Sequence, residues 1–338
     1  MIGLGLGACA GGGGVGVGST GGLDMDFTAQ RYALSGPYAR AFPSGWSFAR
    51  ASAGLAQRVD GSWVSFASDE PRVTDRGLLV EEARTNLFLN SAAPATQSVA
   101  LTVGTYTLTV WGSSGSVTSS AGTATGSGYG AAAASVAGTA QVLTITGNGT
   151  VTFTVSGTPL YVNVEAGAYG TSPIVTAGAS VTREADVASV SALSALMTPP
   201  CTVIASADLF NLDAVARVLV ELNEGTGTGN RTNMQRNASN AAAVIASSGG
   251  AAQTVALSVA GKTGARTLSM GLRLQATTYN AVADGVMGTE TAWTPPVGLA
   301  KISFGTTGFA GGIMRGYVKR ARIFPRALTD AEMQALTA

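Results

Sequence analysis

Short runs of alternating residues, each closed by glycine, asparagine or proline, leave this chain little choice but β-structure. Tyr106-Thr-Leu-Thr-Val-Trp111 alternates with period two, and so do residues 142–146, 151–155 and 160–164. That period sends successive side chains to opposite faces of a strand. Nine further runs lie at 201–208, 215–222, 233–236, 242–246, 253–259, 267–274, 279–283, 301–304 and 317–324, separated by turn clusters such as Glu224-Gly-Thr-Gly-Thr-Gly-Asn230. The fold class that follows is all-β, two β-sandwich (jelly-roll-like) domains. Asn148-Gly149, between two runs, predicts a hairpin, and Asp284-Gly285 a tight turn. Residues 112–138, rich in Ser, Ala and Gly, are expected to cover an exposed edge. One helix is expected, at the C-terminus. Pro325 stops the last strand because it has no N–H for the ladder, and Thr329 with Glu332 forms a capping box.

Composition removes several kinds of chemistry. Histidine is absent, so a Ser–His triad is impossible and the commonest general base and metal ligand are missing. The glycine repeats lack the flanking strand, helix and Lys-Ser/Thr of a phosphate loop, so no cofactor is expected. Charged residues make up 12% and the net charge is +1; with arginines scattered, nothing marks a nucleic-acid surface. No apolar run reaches the length of a membrane span. Cys9 and Cys201 read as two unpaired buried thiols. Leu6-Gly7-Ala8-Cys9 has the look of a lipoprotein box, but no basic residue precedes it and the apolar stretch is too short, so lipidation is not expected. Asp24 and Asp26 could converge on a divalent cation; two acids are too few for its shell, and a solvated loop without metal is the expectation. Glu221 with Glu224, or Asp208 with Asp213, could be paired on paper as glycosidase carboxylates. Without aromatic platforms the pairing is arbitrary, and the chain is not expected to be an enzyme.

Four regions follow along the chain. Residues 1–22 are half glycine and read as an extended assembly anchor, with Ile2, Leu4 and Leu6 seated in a groove of a neighbouring protein. Residues 23–95 read as an attachment arm rich in aromatics, among them Tyr32, Tyr38, Phe42, Trp46, Phe48, Trp63 and Phe66. Within it 78–90 is strand-like, with Asn86 and Asn90 as turn residues that bind backbone. Residues 96–190 form the small β-sandwich and 195–338 the second, larger one.

The string Glu70-Pro-Arg72, Arg76-Gly-Leu-Leu-Val-Glu-Glu-Ala-Arg-Thr-Asn-Leu-Phe-Leu-Asn-Ser91, preceded by Ser47-Phe-Ala-Arg-Ala-Ser52, resembles a recurrent segment of bacteriophage and gene-transfer-agent head-spike and tail-fibre proteins. Thr171-Ser-Pro-Ile174 through Thr182-Arg-Glu-Ala-Asp-Val187 is similar to another element of those proteins, at the exit of a carbohydrate-module-like domain. The ending, strand, Pro325-Arg-Ala-Leu328 and capping box, resembles the close of a concanavalin-A-like, laminin-G-type jelly roll. The resemblance spans roughly residues 45–338 in scattered motifs. It implies a spike or fibre subunit at the virion surface, made in the bacterial cytoplasm. Such a subunit docks on capsid or tail proteins and associates with itself, as a trimer or, at a capsid vertex, a pentamer. It adheres to host surface polysaccharide. A particle-borne depolymerase and a ligand-free decoration protein are the alternatives. For sugar contact, the C-terminal domain offers Arg231, Asn233, Gln235, Arg236 and Asn237 as planar hydrogen-bonding groups, and Tyr279 and Trp293 as ring faces.

Overall fold

In a computed structural model, residues 21–210, 215–227, 229–256, 266–307 and 312–338 are described. The anchor residues Ile2, Leu4 and Leu6, and Cys9, lie outside them. The nine strands expected after residue 195 are all present, and they fall into two facing antiparallel sheets. One sheet runs Arg31–Leu34, Leu23–Asp26, Gly316–Phe324, Cys201–Leu209, Arg266–Leu274, Thr278–Ala283, Val286–Met287, with Gly77–Val80 paired onto Gly316–Phe324. The other runs Ala251–Ala256, Ala242–Ser248, Arg231–Arg236, Arg217–Asn223, Lys301–Phe304, Val187–Val190, Trp46–Ala49. Between them Met25, Val203, Ile323, Leu222, Met234 and Phe304 meet in one core.

The expected arm does not stand apart. Leu23–Asp26 pairs with Gly316–Phe324 in the register Met25↔Ala321, and Trp46–Ala49 pairs with Val187–Val190. Tyr32, Phe42 and Trp46 stack in series at 4.4 and 4.2 Å, and Phe27 meets Phe304 edge-on at 5.5 Å. These rings close an end of the larger core instead of projecting as a docking surface. The larger sandwich is therefore discontinuous in sequence, with the small one inserted into it. Asp24 and Asp26 are likewise on a strand, not in a solvated loop, and nearly buried.

The small sandwich faces the sheet Thr125–Ser127, Thr139–Gly147, Gly104–Trp111, Tyr161–Ala166 with the sheet Ala131–Ala133, Ser116–Ala121, Gly149–Ser156, Gln97–Leu101. Its core holds Leu108, Val110, Leu143, Phe153 and Val164. The hairpin expected at Asn148-Gly149 is not formed: its two strands belong to opposite sheets, and Asn148 Oδ1 accepts from the Val103 N–H at 2.8 Å. The positive angles of a primed turn occur instead at Asp284 (φ 45°) and Gly285 (φ 77°), which join two paired strands. Residues 112–138 are only partly an edge cover; Ala131–Ala133 and Thr125–Ser127 are edge strands, but Ser116–Ala121 is interior to its sheet.

The C-terminal helix Asp330–Thr337 has the capping box, with both Thr329 and Glu332 engaged. Its Met333 packs with Ile204, Val282 and Leu328 on the outer face of the first sheet.

Candidate functional site

The motifs that carried the family resemblance converge on a buried network between the two sandwiches. Arg72 grips Asp186 through Nη2 and Nε, and Glu81 through Nη1 at 2.8 Å. Arg183 reaches the same Glu81 carboxylate at 3.0 Å, and Arg50 reaches Asp186 at 3.1 Å. Ser172 donates to Glu81 from its backbone (2.7 Å) and its hydroxyl (2.6 Å). All five charged side chains are sealed from solvent, so each charge must be paired to be tolerated. Burial alone would raise the Glu81 carboxyl, but Arg183, Arg72 and the Ser172 donors outweigh it and hold the group at about 2. Nearby, burial pushes the Glu165 carboxyl up, against the opposing pull of the Thr171 donors. Asn86, expected to bind backbone, donates to the Val162 and Ile174 carbonyls and accepts from the Phe88 and Val164 N–H groups. The network is a fastening. It offers a ligand no surface.

Beside it lies a cleft of about 440 Å³. One wall is the small sandwich, with Thr109, Trp111, Gly138 and Tyr169. The other is the hairpin Gly54–Gln57/Trp63–Phe66 and the strand end that carries Tyr317, with Arg76, Leu79 and Phe210. Gln57 bridges the walls: its Nε2 donates to the Val136 carbonyl at 2.6 Å. Its backbone N–H donates to Tyr317 Oη, and that hydroxyl donates to the Gln57 carbonyl, each at 3.0 Å. Burial pushes the Tyr317 phenol up to about 12, so it stays a neutral donor.

Trp63, half-buried, stands edge-on to Trp111 at 6.1 Å and to Tyr161 at 6.2 Å. Gly138 lets the chain pass over the Trp111 ring, since a Cβ there would come within 2.3 Å of Nε1. The Arg76 guanidinium lies 4.7 Å from the Tyr317 ring centroid and donates to Gln57 Oε1 at 2.8 Å. Thr109 Oγ1 is buried at the cleft with no hydrogen-bond partner among the described residues. No aspartate or glutamate lines the cleft among those residues. Aromatic edges and faces, a guanidinium and an amide are the groups that hold a polar ring with apolar faces.

The residues expected to bind sugar are not gathered in one place. Arg231, Asn233 and Gln235 share the face of the second sheet turned away from the core, where Arg231 Nη1 lies 3.5 Å from Glu221 Oε2, but Asn233 and Gln235 are themselves buried and present no surface to a ligand. Arg236 alternates to the side of Met234 and is fully buried, so it cannot touch a ligand. Asn237 folds its own turn, its Oδ1 accepting from the Ser239 and Ala241 N–H groups. Tyr279 is in the core at 3% exposure and offers no ring face. Trp293 packs on Tyr279 at 5.4 Å and donates to the Gln275 carbonyl, on the opposite sheet from Arg231. As a cation site Asp24 and Asp26 are already engaged: Arg320 bridges both, Tyr38 donates to Asp24, and Thr28, Ala29 and Arg31 donate to Asp26. No cluster of metal-ligating side chains is present among the described residues. No helix there is long and apolar enough to cross a membrane.

No protein-family model and no curated protein matches this sequence. Solved structures with similarity include the CBM40 of the Ruminococcus gnavus IT-sialidase, at 15% identity over 41% of this chain and 82% of that one, TM-score 0.36. Domain 4 of AbnA, a GH43 extracellular arabinanase from Geobacillus stearothermophilus, is similar at 10% identity over 46% and 73%, TM-score 0.38. The NanB sialidase from Streptococcus pneumoniae is similar at 16% identity over 44% of this chain and 26% of that one, TM-score 0.36.

Proposed function

We propose that this chain is a glycan-binding subunit without catalytic activity, and that its sugar site is the cleft between the two sandwiches. The observation that carries the reading is the lining of that cleft: Trp63, Phe210 and Tyr317 beside Gln57, Arg76 and Thr109, with no carboxylate among the described residues. Most glycoside hydrolases use a pair of carboxyl groups across the scissile bond, and no described residue lining the cleft supplies one. The similarity of the 70–91 and 171–187 motifs to phage and gene-transfer-agent fibre proteins supports a setting on the virion surface, docked on capsid or tail proteins. Self-association there, as a trimer or at a vertex as a pentamer, multiplies a weak site into firm adhesion. A single shallow site of this kind binds at roughly tens of micromolar to millimolar.

The test is retention of host surface polysaccharide by the full chain, with the molecular mass of the polysaccharide followed over a day. Binding with unchanged mass is expected. Trp63→Ala should weaken retention roughly three- to tenfold, and Arg231→Ala, on the far face, should leave it unchanged. Progressive shortening of the polysaccharide would replace this reading with a depolymerase. Absence of both binding and shortening would leave a decoration protein.

A further inference from the structure

Arg76 is the one charged residue lining the cleft among the described residues. The acid next to it in sequence, Asp75, accepts instead from the Val59 N–H at 2.9 Å. The side-chain hydrogen bond of Arg76 goes to a neutral amide oxygen, Gln57 Oε1, at 2.8 Å. Gln57 is in turn held by its bonds to the Val136 and Gly61 carbonyls. The Tyr317 ring at 4.7 Å and the Phe210 ring at 5.9 Å support the guanidinium from its apolar side. It is thus an oriented cation with donors left over and no carboxylate among the described residues to neutralise it. Elsewhere in this junction the rule is the opposite: Arg50, Arg72, Arg183 and Arg315 all end on carboxylates. Across the cleft, Thr109 Oγ1 has no partner among the described residues and Gly170 packs over it, so the polar pull on a ligand comes from Arg76.

Resting on the reading of the cleft as a sugar site, we propose that its ligand is an acidic saccharide. A ring carboxylate would take the free edge of Arg76, and the apolar ring face would lie on Trp63. A planar guanidinium matches a carboxylate with two parallel hydrogen bonds, and a bond to a charged group is roughly twice as strong as one between neutral groups. Neutral sugars would still stack in the cleft and would leave the Arg76 charge uncompensated.

The experiment titrates the full-length chain, by tryptophan fluorescence and calorimetry, with paired oligosaccharides: galacturonate trimer, a hyaluronan tetrasaccharide and sialyllactose, each beside its carboxyl-reduced counterpart. At least one acidic member should bind roughly tenfold tighter than its neutral twin, with the preference shrinking as salt is raised. Arg76→Gln should abolish the preference, so that each acidic member binds no tighter than its neutral twin. Arg76→Lys, which keeps charge but loses the fork, should fall between; its thermal unfolding and that of Arg76→Gln report whether each is folded. Equal binding of acidic and neutral members by the unmodified chain overturns the acidic-ligand proposal and leaves the cleft as a sugar site. A preference that survives Arg76→Gln overturns the role of Arg76. Failure of every oligosaccharide to bind overturns both the proposal and the reading of the cleft.

Discussion

Trp111 and Trp63 line the same cleft, but they answer to different demands. Trp111 is 3% exposed and closes the end of its strand against Gly138; Trp63 keeps part of its ring open. Replacing Trp111 by alanine therefore creates a cavity, and we expect a loss of about 3–5 kcal/mol in chemical denaturation. Both rings stood out in the sequence as aromatics, one in an alternating strand and one in a supposed arm. Their meeting across 48 positions has no local signature, because hydrophobic period reports the face a side chain takes and not its partner. Arg236 and Tyr279 failed as sugar ligands for a related reason. Polar or amphipathic type suggested exposure, while strand alternation turned Arg236 inward with Met234 and put Tyr279 in the core. Cys201 is a buried free thiol, as its apolar surroundings in the sequence suggest, with burial raising it to about 12.

At the scale of elements, strands and caps were legible and pairings were not. The runs from 201 to 324 became strands because each ends at residues that leave the extended region readily, and the hairpin at Asp284-Gly285 has both angles positive. Asn148-Gly149 has the same chemistry, but the chain there crosses between facing sheets, so the tertiary packing of two hydrophobic faces overrode the turn preference. The final helix is the clearest local success. Thr329 accepts from the Glu332 N–H, and the Glu332 carboxylate accepts from the Thr329 N–H at 2.8 Å. Thr329→Ala should cost about 1 kcal/mol in thermal or denaturant unfolding. A change near zero would mean that the Met333 contact alone holds the helix to the sheet.

On the scale of the whole molecule, the chain builds part of one sandwich, leaves to build another, and returns, and buried charge fastens the crossing points. The fastening responds to pH with a definite sign. Glu81 is held at about 2, below its ordinary value of 4.5, so its contribution is complete above pH 4.5 and is lost as pH falls toward 2. By linkage that is about 3 kcal/mol. The Glu81 contribution should hold steady from pH 7 to 5 and be lost steeply below 4.5, whereas Glu165, pushed up by burial, adds stability as pH falls from neutrality. Glu81→Gln should melt lower at neutral pH, because Arg72 and Arg183 lose a shared counter-charge, and its acid drop should be shallower. A variant with the same acid profile as the unmodified chain would place the pH dependence elsewhere.

The discontinuous course also decides which pieces can exist alone. Residues 195–338 look self-sufficient in sequence, with nine strands and a capped helix. Their core, however, is completed by Leu23, Met25, Phe27, Leu78, Val80 and Val190 from earlier segments. At about 1.5–3 kcal/mol for each large buried apolar side chain, those six contribute on the order of 10 kcal/mol, comparable to the entire stability of a domain. Without them, Gly316–Phe324 loses its pairing with Leu23–Asp26 and Gly77–Val80 and becomes an exposed, sticky edge. Expressed alone, residues 195–338 should aggregate or bind hydrophobic dye with no fixed tertiary signal. The span 21–338, which keeps every one of those strands, should give a cooperative unfolding transition. A dispersed, sharply melting 195–338 fragment would show that the early strands are an addition to a finished sandwich and not part of its foundation.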